Sequence, residues 1–280
     1  NFPKAVFKLS AHFYKAEALF TLGKNEALSD YLAVLEFKQN QFTERALSQA
    51  ARIEIGQHEF GAAALHYTQL LAQAQDKRLL REATFELLNC YIELQYTDQM
   101  LAAAQAVLAL DKLDNDLQVK ARIIIANHAF EQSEFYLAKK HYQWIVSATN
   151  SEVGAKAQYQ LAYILFLQDD FTASEEQIFQ LAENFTDDYH IAKGFVLLGD
   201  VYLSQGKLFQ AKATLESVID NHDGEELKQL AIDKKQEIEA LEAQQDEVHK
   251  ESEIIIDLLK DMKIDFDELM EEEILEEDEE

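Results

Sequence analysis

The stretch Phe195–Val218, FVLLGDVYLSQGKLFQAKATLESV, constrains the fold most, because it is a helical hairpin that the chain repeats. Leu198-Gly199 is followed by Tyr202, then Gly206, then Ala211 and Leu215. Apolar residues three and four apart on either side of Gly206 predict two amphipathic helices joined by a tight turn. The second helix opens on the pair Leu208 and Ala211. Equivalent pairs are Phe171/Ser174, Phe135/Ala138, Thr97/Met100, Phe60/Ala63 and Asn25/Leu28. From the N-terminus, the first members are spaced by 35, 37, 38, 36 and 37 residues. A small residue stands twelve positions before the second member of each pair: Ala16, Ala51, Ala126, Ala162 and Gly199, with Leu88 as the exception. Small residues there allow two helices to cross closely, so the third hairpin is expected to pack more loosely or to tilt. One hairpin cannot bury its own apolar faces, so six in phase must stack.

Composition closes off the other fold classes. With 8 Gly and 1 Pro in 280 residues, and no runs of alternating Val, Ile and Thr, the chain lacks the punctuation of a sheet protein. The order Leu-Gly, Tyr, Gly and Ala resembles a tetratricopeptide repeat (TPR). The resemblance implies an all-α fold, a right-handed α-α superhelix of about six hairpins with a C-terminal capping helix. The expected boundaries are a solenoid over 1–222 (repeats 8–42, 43–79, 80–117, 118–153, 154–190 and 191–222) and a capping helix over 223–249. An acidic amphipathic helix and disordered tail are expected over 250–280. Asp223-Gly224 reads as the stop before the cap. The N-terminal segments Asn1-Phe2-Pro3 and Ala11–Phe20 resemble units of bacterial cell-envelope TPR proteins of the Tol–Pal-associated and barrel-assembly lipoprotein type. That likeness implies a periplasmic setting, with the cytoplasm as the alternative. The start at Asn1 leads us to expect further sequence, and at least one more repeat, upstream.

The net charge is −27, and residues 241–280 alone hold 18 acidic and 3 basic residues. Phosphate binding is driven by Lys and Arg, so nucleic acid and anionic lipid are not expected partners. No apolar run is long enough to cross a bilayer, so direct membrane insertion is not expected. Cys90 is the single cysteine and reads as a small core residue. The eight His show no paired ligand spacing, and the Asp-rich stretches 111–116 and 220–224 lack a calcium loop's alternation of ligands. No cofactor, metal or catalytic constellation is expected, which leaves the chain a non-enzymatic scaffold for a protein or peptide partner.

The TPR resemblance implies that the first helix of each repeat lines a concave groove. One residue past the crossing position stand Glu17, Arg52, Asn89, Asn127, Tyr163 and Asp200, and four past it come Phe130 and Phe166. Three before it come Phe85 and Tyr159, and six before it Lys120, Lys156 and Lys193. The expected partner-binding set is therefore Arg52, Phe85, Asn89, Lys120, Asn127, Phe130, Lys156, Tyr159, Tyr163, Phe166, Lys193 and Asp200. Asn127 with Lys156 or Lys193 resembles part of the carboxylate clamp by which some TPR proteins hold a peptide C-terminus. Phe85, Ile123 and Leu197 stand where that clamp needs basic residues. The competing expectation is that the aromatic residues pack between repeats. A second is self-association, with the acidic helix 252–270 seated in a groove of the same or another copy.

Overall fold

A computed structural model describes residues 2–261, with side chains described from Phe7 to Leu258. Among these residues there are thirteen α-helices and no strand. Two compact units divide the chain, Asn1–Thr149 and Asn150–Glu280. The first unit contains four hairpins: α1 (Phe2–Thr21) with α2 (Ala27–Leu35), α3 (Thr43–Gly56) with α4 (Phe60–Gln73), α5 (Lys77–Leu94) with α6 (Thr97–Leu108), and α7 (Asn115–Glu131) with α8 (Phe135–Ala148). The second contains α9 (Glu152–Leu167) with α10 (Phe171–Asn184), α11 (Asp188–Ser204) with α12 (Leu208–Asn221), and the single helix α13 (Glu225–Asp261). Within each unit every helix packs on the next in sequence, and α13 lies on α12 and also touches α11.

The turn inside every hairpin holds one left-handed residue: Gly23, His58, Gln95, Ser133, Asp169 and Gly206, with φ between 55° and 71°. Each lies two residues before the first anchor of its second helix, so the turns recur with the same period as the sequence pattern. At each turn the amide of the next residue closes a six-residue loop onto the preceding helix, as in Glu59 N–H to Glu54 O (2.8 Å) and Lys207 N–H to Tyr202 O (2.8 Å). This is the Schellman closure, which satisfies carbonyls left open at a helix C-terminus. Only two of the six positions are glycine, so a chain poor in glycine still turns six times. Aspartates at the starts of several first helices supply the opposite signal. Asp76, Asp114 and Asp187 each accept a backbone N–H of the following turn.

The crossing residues Ala16, Ala51, Leu88, Ala126, Ala162 and Gly199 are all buried. In five hairpins the residue facing the crossing position from the second helix is large: Tyr31, Tyr67, Tyr142, Ile178 and Leu215, each fully buried. The fit is tight at Gly199, where an added Cβ would meet Leu215 Cγ at 2.9 Å. In the third hairpin the sizes are exchanged. Leu88 occupies the crossing position and Ala104 stands where the others carry a large side chain, and both are buried in one cluster. The size exchange keeps both positions buried, yet α5 and α6 make the least extensive contact of the six hairpins, in line with the looser packing expected there. Ser174, the one hydroxyl at a second-helix crossing position, is buried and donates to Ala162 O at 2.9 Å. In the first hairpin the buried small residue is Ala27 rather than Leu28, and Leu32 is exposed. The second helix there enters one residue early.

Helix α13 continues unbroken through residues 249 and 250, where a division between a cap and an acidic helix was expected. The expectation for a disordered acidic end falls largely on residues 262–280, which lie outside the described residues. Among the described residues no helix is long and apolar enough to cross a membrane.

Candidate binding surface

The side chains one past each crossing position do not all wait for a ligand. In the first three hairpins they reach the following hairpin. Glu17 accepts Arg45 Nη2 at 2.6 Å and also the buried Tyr31 hydroxyl at 2.7 Å. Arg52 makes a two-pronged pair with Glu82, Nε to Oε1 at 2.6 Å and Nη2 to Oε2 at 2.5 Å, and Glu82 also accepts Ser48 Oγ at 3.1 Å. Asn89 accepts Lys120 Nζ at 2.6 Å and donates to Glu86 at 3.1 Å. Each partner (Arg45, Glu82, Lys120) stands six before the next crossing residue. Position "one past" thus pairs with position "six before" of the next repeat, forming a rung. Asp200 continues the rule in the second unit by accepting Lys234 Nζ of α13 at 2.6 Å, and Lys234 stands six before Ala240. By this pairing α13 occupies the place of the first helix of a further repeat.

Of the polar candidates, Arg52, Asn89, Lys120 and Asp200 are thus engaged in rungs. Asn127 Oδ1 accepts the buried Tyr142 hydroxyl at 2.9 Å, so it satisfies the core. Phe85 is half-buried beneath the Arg81 guanidinium, 5.2 Å from its ring centre. Arg81 also donates to the carbonyls of Asp111 (2.5 Å) and Lys112 (2.7 Å), fastening the turn before α7. Phe130 leans on Phe135, with centroids 6.0 Å apart. Arg45 and Glu82, which complete two of the rungs, were not among the expected site residues. They stand at the phase already picked out by Lys120, six before the crossing residue, which is the signal that could have found them.

The second unit holds a further candidate site, whose aromatic residues pack in part on the core of that unit. Tyr159, Tyr163 and Phe166 lie on one side of α9 with nearly parallel rings, centroids 6.1 Å and 6.4 Å apart, and each is half-buried. Burial raises the Tyr159 hydroxyl far above the ordinary tyrosine range, so it stays protonated. Lys193 Nζ sits 4.7 Å from the Tyr159 ring centre, a cation held against an aromatic face. Lys156, on α9, is exposed and meets no carboxylate among the described residues. A separate cleft of about 300 Å³ opens between the start of α11 and the end of α12. Ile191, Phe195 and Val218 line it, with Asp188 and Asp223 alongside, none of them among the expected site residues.

Glu152, Asp187 and His190 bring three potential metal-ligand atoms within 4.8 Å of one another. Capping accounts for two of the three. Asp187 Oδ1 accepts the His190 backbone N–H at 2.9 Å and is bonded to the same residue's Nδ1 at 2.7 Å, closing the start of α11.

The stacked hairpins, their recurrent turns and the inter-repeat rungs define an all-α repeat scaffold of the α-α superhelical class. Residues 98–242, just over half the chain, match the family model described as "Tetratricopeptide repeat-like domain". The chain belongs to that family. No curated protein matches it in sequence. Similar solved structures include the C-terminal part of a TPR repeat-containing protein from Cytophaga hutchinsonii, at 14% identity, a TM-score of 0.51, and coverage of 74% of this chain and 78% of that one. YrrB, described as a TPR protein with an unusual peptide-binding site, is 18% identical with a TM-score of 0.52, covering 75% of this chain and 99% of its own. MamA is 14% identical with a TM-score of 0.50, over 65% and 92% of the two chains. At these identities the likeness is one of fold.

Proposed function

We propose that the chain is a protein-interaction scaffold that binds an extended peptide segment along α9 and α11. The observation that carries this reading is the parallel, half-exposed strip Tyr159–Tyr163–Phe166 with Lys193 against it and Lys156 beside it. Stiff rings offer large contact area at low entropic cost, and two lysines favour a peptide that carries a carboxylate near its apolar anchor. The peptide-binding site for which YrrB is named supports such a use of this fold. Within the second unit the Asp200–Lys234 rung holds α13 against α11, one of the two helices of this surface.

The test is a peptide-display selection against the full chain, followed by titration of the best peptides with the wild type and with Y163A/F166A. Loss of aromatic anchors at an interface commonly costs about 2 kcal/mol or more, so affinity should fall at least tenfold while the helical signal is unchanged. Equal affinity for both proteins would remove the strip from the site. The likeness of Asn1-Phe2-Pro3 and Ala11–Phe20 to cell-envelope repeats supports a bacterial periplasmic setting for the scaffold. Fractionation of the full-length protein decides between that compartment and the cytoplasm.

A further inference from the structure

Helix α13 carries one apolar stripe along its whole length, but only its first half is covered. Residues 227, 231, 234, 238, 241, 245, 248, 252 and 255 follow alternating steps of four and three, the spacing of a helix-packing seam. Leu227, Ala231 and Ile238 are buried against the last hairpin. On the same face Leu241, Val248 and Ile255 are 44%, 62% and 57% exposed, with Ile256 beside them at 44%. Lys234, Gln245 and Ser252 are the polar positions of the seam, and Ser252 turns its hydroxyl back onto Val248 O at 2.8 Å. Leu241, Gln244, Gln245 and Val248 also border a shallow hollow of the kind a knob from another helix would enter.

We infer that this exposed half of α13 is a docking ridge for a basic amphipathic helix of a partner protein, a site separate from the aromatic strip on α9. Charge selects the occupant. Between residues 241 and 258 there are six carboxylates and a single lysine, Lys250. Helical spacing puts Glu251 on one edge of the ridge, and on the other stands Glu242, paired with Lys212 of α12. A second copy would bring the same carboxylates face to face. The chain's own residues 262–280, with eleven acidic residues and one lysine, are equally mismatched. Like charges across a helix seam oppose pairing, whereas lysines flanking an apolar stripe complement it.

The experiment uses the full chain and two synthetic three-heptad peptides with leucine at the seam, one flanked by lysine and the other by glutamate. Fluorescence anisotropy should report binding of the lysine peptide, and binding at least tenfold weaker for the glutamate peptide. Val248→Ser with Ile255→Ser should weaken the lysine peptide tenfold or more, because it removes the ridge and leaves every charge in place. Light scattering of the wild type alone should give the mass of one chain. Unchanged affinity in the double variant would mean that charge alone attracts the peptide, and the ridge assignment would fail. A doubled mass that V248S/I255S abolishes would make a second copy the occupant. Failure of both peptides to bind would equally overturn the inference.

Discussion

Individual residues carry two kinds of cost in this chain, and both can be measured. The first is backbone strain in the hairpin turns. Gln95 and Ser133 are exposed and hold φ of 55° and 60° with full side chains, where glycine would sit without a Cβ penalty. Gln95→Gly and Ser133→Gly should each raise the unfolding free energy by about 0.5–1 kcal/mol, after allowing for the freer unfolded chain. Gly at Gln57, whose φ is −97°, should destabilise instead. Urea melts of the three variants decide the matter, and equal effects at Gln57 and Gln95 would rule out turn strain. The second cost is a buried base. Burial pushes the His141 imidazole below its usual value, and the charges of Arg122 and Lys140 push in the same direction. Arg122 Nη1 lies 3.4 Å from His141 Nδ1, so the ring accepts there, while the guanidinium stacks 4.2 Å from the Trp144 ring centre. The folded state therefore binds this proton less readily than the unfolded chain. Stability is present above about pH 6.5, the unfolded value, and is lost as pH falls below it. Across pH 7 to 5, H141Q should show a shallower fall of Tm than the wild type. Parallel curves would assign the acid sensitivity to other groups.

At the scale of elements, the crossing rule is more general than a requirement for small residues. Where the crossing residue is large, as Leu88 is, a small residue, Ala104, stands on the second helix, and both are buried in one cluster. Leu88→Ala should cost about 2–4 kcal/mol through the cavity it leaves, and Ala104→Leu about 1–3 kcal/mol through overpacking. The double variant L88A/A104L restores the arrangement of the other hairpins and should recover at least about 1 kcal/mol of the summed loss. Strict additivity would mean that the two side chains do not share space. Much of this fold was legible in the sequence, because the crossing pattern and its period are set by apolar burial, which leaves a signal at every turn. The exchange at Leu88 was not, because reading the first helix alone shows a departure and hides its compensation on the second. The candidate site was less legible. Arg52, Asn89, Lys120 and Asp200 were expected at the right phase of the repeat, but a side chain's phase says which way it points and not what it meets. Only a comparison of two phases at once reveals Glu82 and Arg45 as the other halves of the rungs.

For the molecule as a whole, packing that runs from each helix to its neighbours makes stability a sum of local terms. The rungs share this short range: Glu17 to Arg45, Arg52 to Glu82 and Asn89 to Lys120 each join one hairpin to the next and reach no further. In the second unit the last such contact is made by α13, through Leu227, Ala231 and Ile238 on the final hairpin and through Lys234 to Asp200. Its first half thus closes the apolar face of α12, as a terminal helix must in a repeat array. Leu227→Ala, at a residue 3% exposed, should cost about 2–4 kcal/mol. A globally cooperative protein would spread that loss over every amide. A nearest-neighbour array confines it. Hydrogen exchange in L227A should therefore speed up most in α12 and α13, less in α11, and not measurably in α1–α8. Faster exchange throughout the first unit would show that the hairpins unfold together, and the description of this chain as locally coupled repeats would have to be given up.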